Sequence, residues 1–583
     1  MTGTRIDAPS HQKPLRLWPG MVIVVLQWLA RFGAPFLEPE LAAYGAMGGL
    51  VALPALIIWW AFFSRAPHFD RWAGVILMVV TPVAVSNLLH ESIATAGMGF
   101  LFYLYLAPVL TLAFLVWAVT SHRLARWPRR AMMAGTILLA CLVWTLVRTG
   151  GITGTFASDF AWRWTETPEE RLLAQTVDEK IVAPPALISM DLAADWPGFR
   201  GAQRDGIIRG VRIETDWSAY PPVELWRRPI GPGWSSFADR CGLLYTQEQR
   251  GDHEVVACYS VKTGLPVWRH RDPLRFWESN AGAGPRSTPT VNNGHVYTLG
   301  ATGILNALDA HDGTSVWSRD AASDTGTEIP TWGFAGSPLV FDDVVIVATA
   351  GTLIAYDRLT GEPRWTGPDG GAGYSSPHLV TIDGVPQILL LSGSSAASFT
   401  PDDGTLLWDH SWPGGSGILQ PALTDDGDIL IGGAEGAGIR RIAVKRGPDG
   451  WTTQERWTST GLKPNFNDFA VHAGHAFGFD GSILASIDLQ TGERQWKGGR
   501  YGNGQLILLA DQQLLLVLSE RGELALVKAT PDLFVEVARS PAIEGKTWNH
   551  PVLIGDIVLV RNGQEMAAFN LSFRDTASDI VSP

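Results

Sequence analysis

Apolar positions fall into two patterns along this chain. Near 18–37, 43–63, 72–90, 98–120 and 131–149 they run together in five long stretches. Each stretch is about long enough to carry a helix across ~30 Å of hydrocarbon at about 1.5 Å per residue. Further along, apolar and β-branched residues come in short bursts such as Gly294 to Gly300 and Val344 to Ala350, and Thr-Gly or Asp-Gly turns follow. The pattern predicts a helical five-span domain followed by an all-β domain.

The β part repeats itself. A twelve-residue phrase with glycine eighth and tryptophan last ends at Trp268, Trp317, Trp365, Trp408 and Trp496. The first four tryptophans lie 49, 48 and 43 residues apart, and Trp457 divides the 88 residues between the last two. A repeat of about 45 residues with four short antiparallel strands has the size of a propeller blade. Eight innermost strands are predicted in the runs that begin near Gly233, Pro285, Phe334, Tyr374, Ile418, Asn467, Gly504 and Trp548. The last run has no tryptophan strand after it, and Val223 to Pro229 stands alone before the first. Joining the two closes an eight-bladed β-propeller and removes its exposed sheet edges.

Charge fixes an expected orientation. Arg5, Lys13 and Arg16 precede the first stretch, Arg65 and Arg71 join the second to the third, and Arg123, Arg126, Arg129 and Arg130 join the fourth to the fifth. The alternate loops carry Glu38, Glu40 and Glu91 but no Lys or Arg. Positive residues stay inside, so the N-terminus is predicted to be cytoplasmic and the propeller exported. Residues 1–150 carry a net charge of +6 and the remaining 433 carry −18; an acidic exported domain argues against nucleic acid as a partner. Arg31, inside the first apolar stretch, reads either as a quinone or ion site or as an interfacial side chain that snorkels.

Between the two parts, Thr167-Pro168-Glu169-Glu170 has the form of a capping box with proline at the first helical position. The expected organisation is a transmembrane domain over 1–150, a tether with a short helix over 151–194, a segment packed on the ring over 195–222, the propeller over 223–574 and a tail over 575–583. Cys241 and Cys258 are expected on adjacent strands of the first blade, where an oxidising compartment could join them.

The repeated phrase, the eight-blade count and the run from Trp196 to Ile207 resemble bacterial propellers with pyrroloquinoline-quinone-like repeats. That superfamily holds quinoprotein dehydrogenases and the outer-membrane assembly lipoprotein. Five spans ahead of such a propeller also resemble membrane-bound quinoprotein glucose dehydrogenase. The resemblance implies a propeller in the periplasm anchored in the bacterial inner membrane. It implies one of two roles: a platform that binds an envelope protein or ligand, or a dehydrogenase using pyrroloquinoline quinone with calcium and passing electrons to membrane quinone. No adjacent cysteine pair, calcium-ligand set or catalytic aspartate matches the dehydrogenases residue by residue.

The starts of the innermost strands are expected to point toward the ring axis. There the sequence places Arg286, Trp332, Tyr374, Gln420, Asn467, Arg500, Asn503, Lys546, Trp548 and Asn549. Aromatic faces interleaved with cations and amides suit a small planar anionic ligand, held by stacking and charge-assisted hydrogen bonds. Asp468, and after it His550, are the candidate bases.

Overall fold

The computed structural model describes residues 15–33, 41–154, 157–175, 196–412, 417–433 and 436–573. The chain divides into two compact units, Met1–Thr165 with Ser279–Ala281, and Glu166–Glu278 with Gly282–Pro583.

The first unit is helical. Four of its helices are long and apolar enough to cross a membrane: Gly45–Phe63, His68–Ser86, Leu101–Thr120 and Arg126–Leu146. The first predicted stretch forms the helix Trp18–Trp28 and a π-helical turn, Leu29–Gly33, so its described part falls short of a span. The count that meets the length criterion among the described residues is therefore four rather than five. The last span also starts earlier than expected, because Arg126, Arg129 and Arg130 of the preceding loop form its opening turns, while Arg123 stays in the loop. There Arg130 pairs with the buried Asp70 at 2.6 Å, and the Trp117 indole donates to the Arg129 carbonyl.

The second unit is the propeller. Blades 1 to 7 occupy 238–272, 290–320, 339–366, 378–411, 422–459, 470–500 and 505–541, each a four-stranded antiparallel meander in chain order. Blade 8 takes three strands from 552–570, and its fourth and outermost is Val223–Pro229, paired with Glu565–Asn570. Arg561, wholly buried in blade 8, donates to the Gln247 and Gly231 carbonyls of the first blade's side of this seam, at 2.9 and 3.1 Å.

The meaning of the repeated glycine and tryptophan lies between blades. The tryptophan of one blade lies on the glycine of the next: Trp226 on Gly264, Trp268 on Gly313, Trp317 on Gly361, Trp365 on Gly404 and Trp457 on Gly492. A Cβ at any of these glycines would come within 2.4 to 2.8 Å of the indole. Each of these indoles also donates to a backbone carbonyl of the following blade's turn, at 2.7 to 3.1 Å. Blade 5 breaks the pattern because its long hairpin, Gly438–Gly447 with Gly450–Ser459, has no such turn. Trp408 donates instead to Gln387 within its own blade.

A second seam runs around the axis. Just ahead of the innermost strands, Ser236 N–H donates to Thr288 Oγ1, Thr288 N–H to Ser337 Oγ, and Ser337 N–H to Ser376 Oγ, at 2.9 to 3.0 Å. With its amide nitrogen turned to the Ser376 carbonyl, the Gln420 side chain exchanges two 3.1 Å bonds with the Ser376 backbone, and Gln420 N–H donates to Asp468 Oδ1 at 2.7 Å. Ser236 Oγ donates to the His550 carbonyl, which joins blade 1 to blade 8. This belt satisfies buried polar groups where eight strands converge.

The expected capping box is present: Thr167 and Glu170 exchange side-chain-to-backbone bonds at 3.0 and 2.6 Å, opening the helix Pro168–Gln175. None of the three cysteines, Cys141, Cys241 and Cys258, is in a disulfide. The first-blade hairpin turns at Gly251 and Asp252, so Cys258 faces Tyr245, and Cys241 lies four residues further along. The disulfide expected between Cys241 and Cys258 is not formed, because the register keeps them apart.

Candidate functional site: the propeller axis and its mouth

The residues expected at the axis separate into three places. At the mouth, formed by the connections that enter the innermost strands, two clusters stand. In one, Trp234 and Phe466 each lie 4.9 Å from Trp548, and the Lys546 ammonium sits 4.4 Å above Trp548 and 5.3 Å above Trp234. Glu520 fixes Trp548 through a 2.7 Å bond from its indole, and Asn465 donates to Asn503 at 2.9 Å beside it. In the other, Trp332 and Tyr374 pack at 5.1 Å, and Arg286 donates to the Trp332 and Gly282 carbonyls and pairs with Glu278 at 3.2 Å. Burial lowers the Arg286 guanidinium to about 10, against the pull of Glu278.

Deeper, Gln420, Asn467, Asp468, Asn549 and His550 are buried. Asn467 accepts from the Asn465 backbone, and Asn549 donates to the Gly233 and Ser235 carbonyls. Arg500 is placed apart from both groups, at the end of the outermost strand of blade 6.

What fills the axis is the segment 196–208, of which the sequence suggested only that it packs on the ring. Trp196 and Pro197 carbonyls accept from Asp239 and Val291 of blades 1 and 2, both at 2.7 Å. Arg204 donates to the carbonyls of Ser337 and Pro338 in blade 3 and of Pro377 in blade 4. Arg200 reaches the Phe469 carbonyl at 2.8 Å and pairs with Asp468 at 3.5 Å in blade 6. Ile207–Ile208 adds a parallel strand to the innermost strand of blade 7. Trp196 and Phe199 lie 6.3 and 5.8 Å from the His550 ring of blade 8. Seven of the eight blades thus hold one short segment.

Electrostatics follow from this closure. Burial raises the Asp468 carboxyl, with Arg200 pulling the other way. Burial and then Arg200 push the His550 imidazole down to about 3; the same burial, with Arg204 and Arg200, pushes His378 down to about 3. Both imidazoles are neutral at physiological pH. Asp468 accepts from the Gln420 backbone and faces a guanidinium, so its oxygens are committed to the fold.

A quinone laid flat over the axis needs an open aromatic face with a cation site beside it. Here the aromatic rings at the mouth already pack on one another in tilted pairs, and Lys546 sits over Trp548. Among the described residues no three His, Cys, Asp or Glu side chains gather to hold a metal. Glu278 and Asp468 are paired with Arg286 and Arg200, so these two carboxylates do not fit a calcium site beside a quinone.

Residues 252–497 match the family described as outer membrane protein assembly factor BamB. The outer membrane protein assembly factor BamB of Yersinia pestis is 24% identical over 295 residues, covering 49% of this chain and 62% of that one. The BamB of Burkholderia pseudomallei is 30% identical over 229 residues, covering 39% and 46%. The chain therefore spans less than two thirds of these relatives. Among solved structures, a europium-containing methanol dehydrogenase superposes with a TM-score of 0.51 at 10% identity, covering 66% of this chain and 99% of that one. That likeness is one of fold.

Proposed function

We propose that this protein is a membrane-anchored interaction platform. Its helical unit crosses the bacterial inner membrane with the N-terminus cytoplasmic, and its propeller stands in the periplasm and engages an envelope protein through the mouth face. The observation that carries this reading is the closure of the axis by residues 196–208. With Asp468 tied to Arg200 and Gln420, and His550 enclosed by Trp196 and Phe199, neither candidate base has access to a substrate hydroxyl. What stays accessible at that end is a set of half-buried aromatics and cations, Trp332, Tyr374, Lys546 and Trp548, on a rigid ring. Tryptophan, tyrosine and cations of this kind are the residues on which protein interfaces concentrate their binding energy. The similarity to an assembly factor supports the same class of role.

The test is titration of the full chain in detergent with pyrroloquinoline quinone plus calcium, followed by tryptophan fluorescence and melting temperature. The platform reading expects no saturable change up to high micromolar quinone. Saturable quenching with a stabilised fold and alcohol-dependent dye reduction would replace it with a dehydrogenase.

A further inference from the structure

Arg31 sits on the π-helical turn Leu29–Gly33 that ends the described part of the first helix. It is only 9% exposed, and its Nε is sealed from solvent without a hydrogen-bond partner among the described residues. The guanidinium rests on two ring faces, Tyr105 at 5.1 Å and Phe32 at 5.4 Å. The turn is fixed in place: a Cβ at Gly45 would come 2.2 Å from the Ala30 carbonyl oxygen, so the second helix presses directly on the backbone next to Arg31. One turn earlier both ends of the Gln27 amide are engaged, donating to the Gly49 carbonyl at 2.8 Å and accepting from Thr111.

A buried cation is retained when something compensates it, and two ring faces offset only part of the loss of water. An anion that a planar, forked donor can grip with two oxygens would supply that compensation. On the same turn Leu29 is 60% exposed and Phe32 42% exposed, which presents an apolar flank beside the charge. An apolar flank next to a cation matches acyl chains leading to a phosphate.

We infer that Arg31, with Tyr105 and Phe32, forms a binding site for the phosphodiester headgroup of a membrane phospholipid. This rests on the helical unit being membrane-spanning, and a requirement for detergent in extracting the full chain from membranes tests that separately. The site is tested by native mass spectrometry of the full chain in detergent, titrated with dioleoylphosphatidylglycerol and, as a phosphate-free control, dioleoylglycerol. The expected result is one saturable phospholipid adduct and none with dioleoylglycerol. Arg31→Gln is expected to lower adduct occupancy at least tenfold, with Arg31→Lys in between. Unchanged occupancy in Arg31→Gln overturns the site. So does equal binding of dioleoylglycerol, a comparison that needs only the natural protein if the variant does not fold. Glu38 and Glu40 lie outside the described residues; a severalfold rise in adduct on Glu38→Gln/Glu40→Gln would assign the guanidinium to the chain's own carboxylates and overturn the proposal. A saturable adduct with decylubiquinone in place of the phospholipid would overturn it in favour of a quinone site.

Discussion

If the glycine of one blade exists to receive the tryptophan of the blade before it, Gly313→Ala should be far more damaging than the backbone angle alone explains. Gly313 has φ +75°, and Gly474, in a turn of blade 6, has φ +78° with nothing within 4 Å of the Cβ it lacks. Alanine in this left-handed region costs roughly 1–2 kcal/mol at either position. At Gly313 the new Cβ would also fall 2.4 Å from the Trp268 ring, so the indole has to leave. Trp268 is 7% exposed and donates to the Ala310 carbonyl at 3.1 Å. Losing that bond is worth about 0.5–1.5 kcal/mol and losing the packing of a buried tryptophan about 3–5 kcal/mol, less whatever the site recovers by relaxing. Gly313→Ala should therefore exceed Gly474→Ala by at least ~2 kcal/mol. Urea unfolding of the full chain in detergent gives the difference. Because two units need not unfold together, hydrogen exchange on peptides spanning 261–271 and 304–320 localises it. Equal losses in the two variants would refute the argument and reduce the repeated glycine to a turn residue.

Other outcomes follow from the same structure. Arg200→Gln leaves the Asp468 carboxyl buried without its cation and should destabilise the axis by roughly 3–5 kcal/mol, with protease cleavage appearing within 196–208; a protease-resistant segment in the variant counts against the closed axis. Glu254, buried with its oxygens accepting from the Ala301 backbone and Thr302 hydroxyl, is raised by burial from 4.5 to about 7. Its folded form favours the proton, so its contribution is whole below pH 4.5 and is lost as pH rises to about 7, up to about 3 kcal/mol. The melting temperature should fall over that interval in the natural protein and fall less in Glu254→Gln; parallel curves would contradict this. Ellman titration of the denatured, unreduced chain should count three thiols, and a count of one would restore the Cys241–Cys258 bond.

Much of this architecture is legible in the sequence, because a repeat is a local signal. Glycine and tryptophan at fixed places mark the blades, and the orphan strand Val223–Pro229 marks where the ring closes. Their partnership is not legible, since Gly313 and Trp317 of one phrase contact different blades, and the phrase does not say which. The axial belt has a signal that can be seen only afterwards: Thr288, Ser337, Ser376, Gln420 and His550 each stand directly before a proline that leads into an innermost strand. Asp468 occupies the equivalent place, so a residue that looked like a base is a belt member. Arg200 and Arg204 occur once, on a segment outside the repeats, and nothing local tells that their guanidinium groups span several blades. The cysteine pairing failed on register alone, through the placing of one turn.

Binding of a protein at the mouth face distinguishes a platform from a merely anchored ring. It is tested most directly by placing a photo-crosslinking residue at Lys546 or Trp332, and for comparison at Asp402 in a turn on the opposite face, in cells that make the protein. One discrete protein adduct is expected from the two mouth positions and none from Asp402. Adducts from Asp402 alone, or none from either mouth position under conditions where the chain is intact in the membrane, would contradict it.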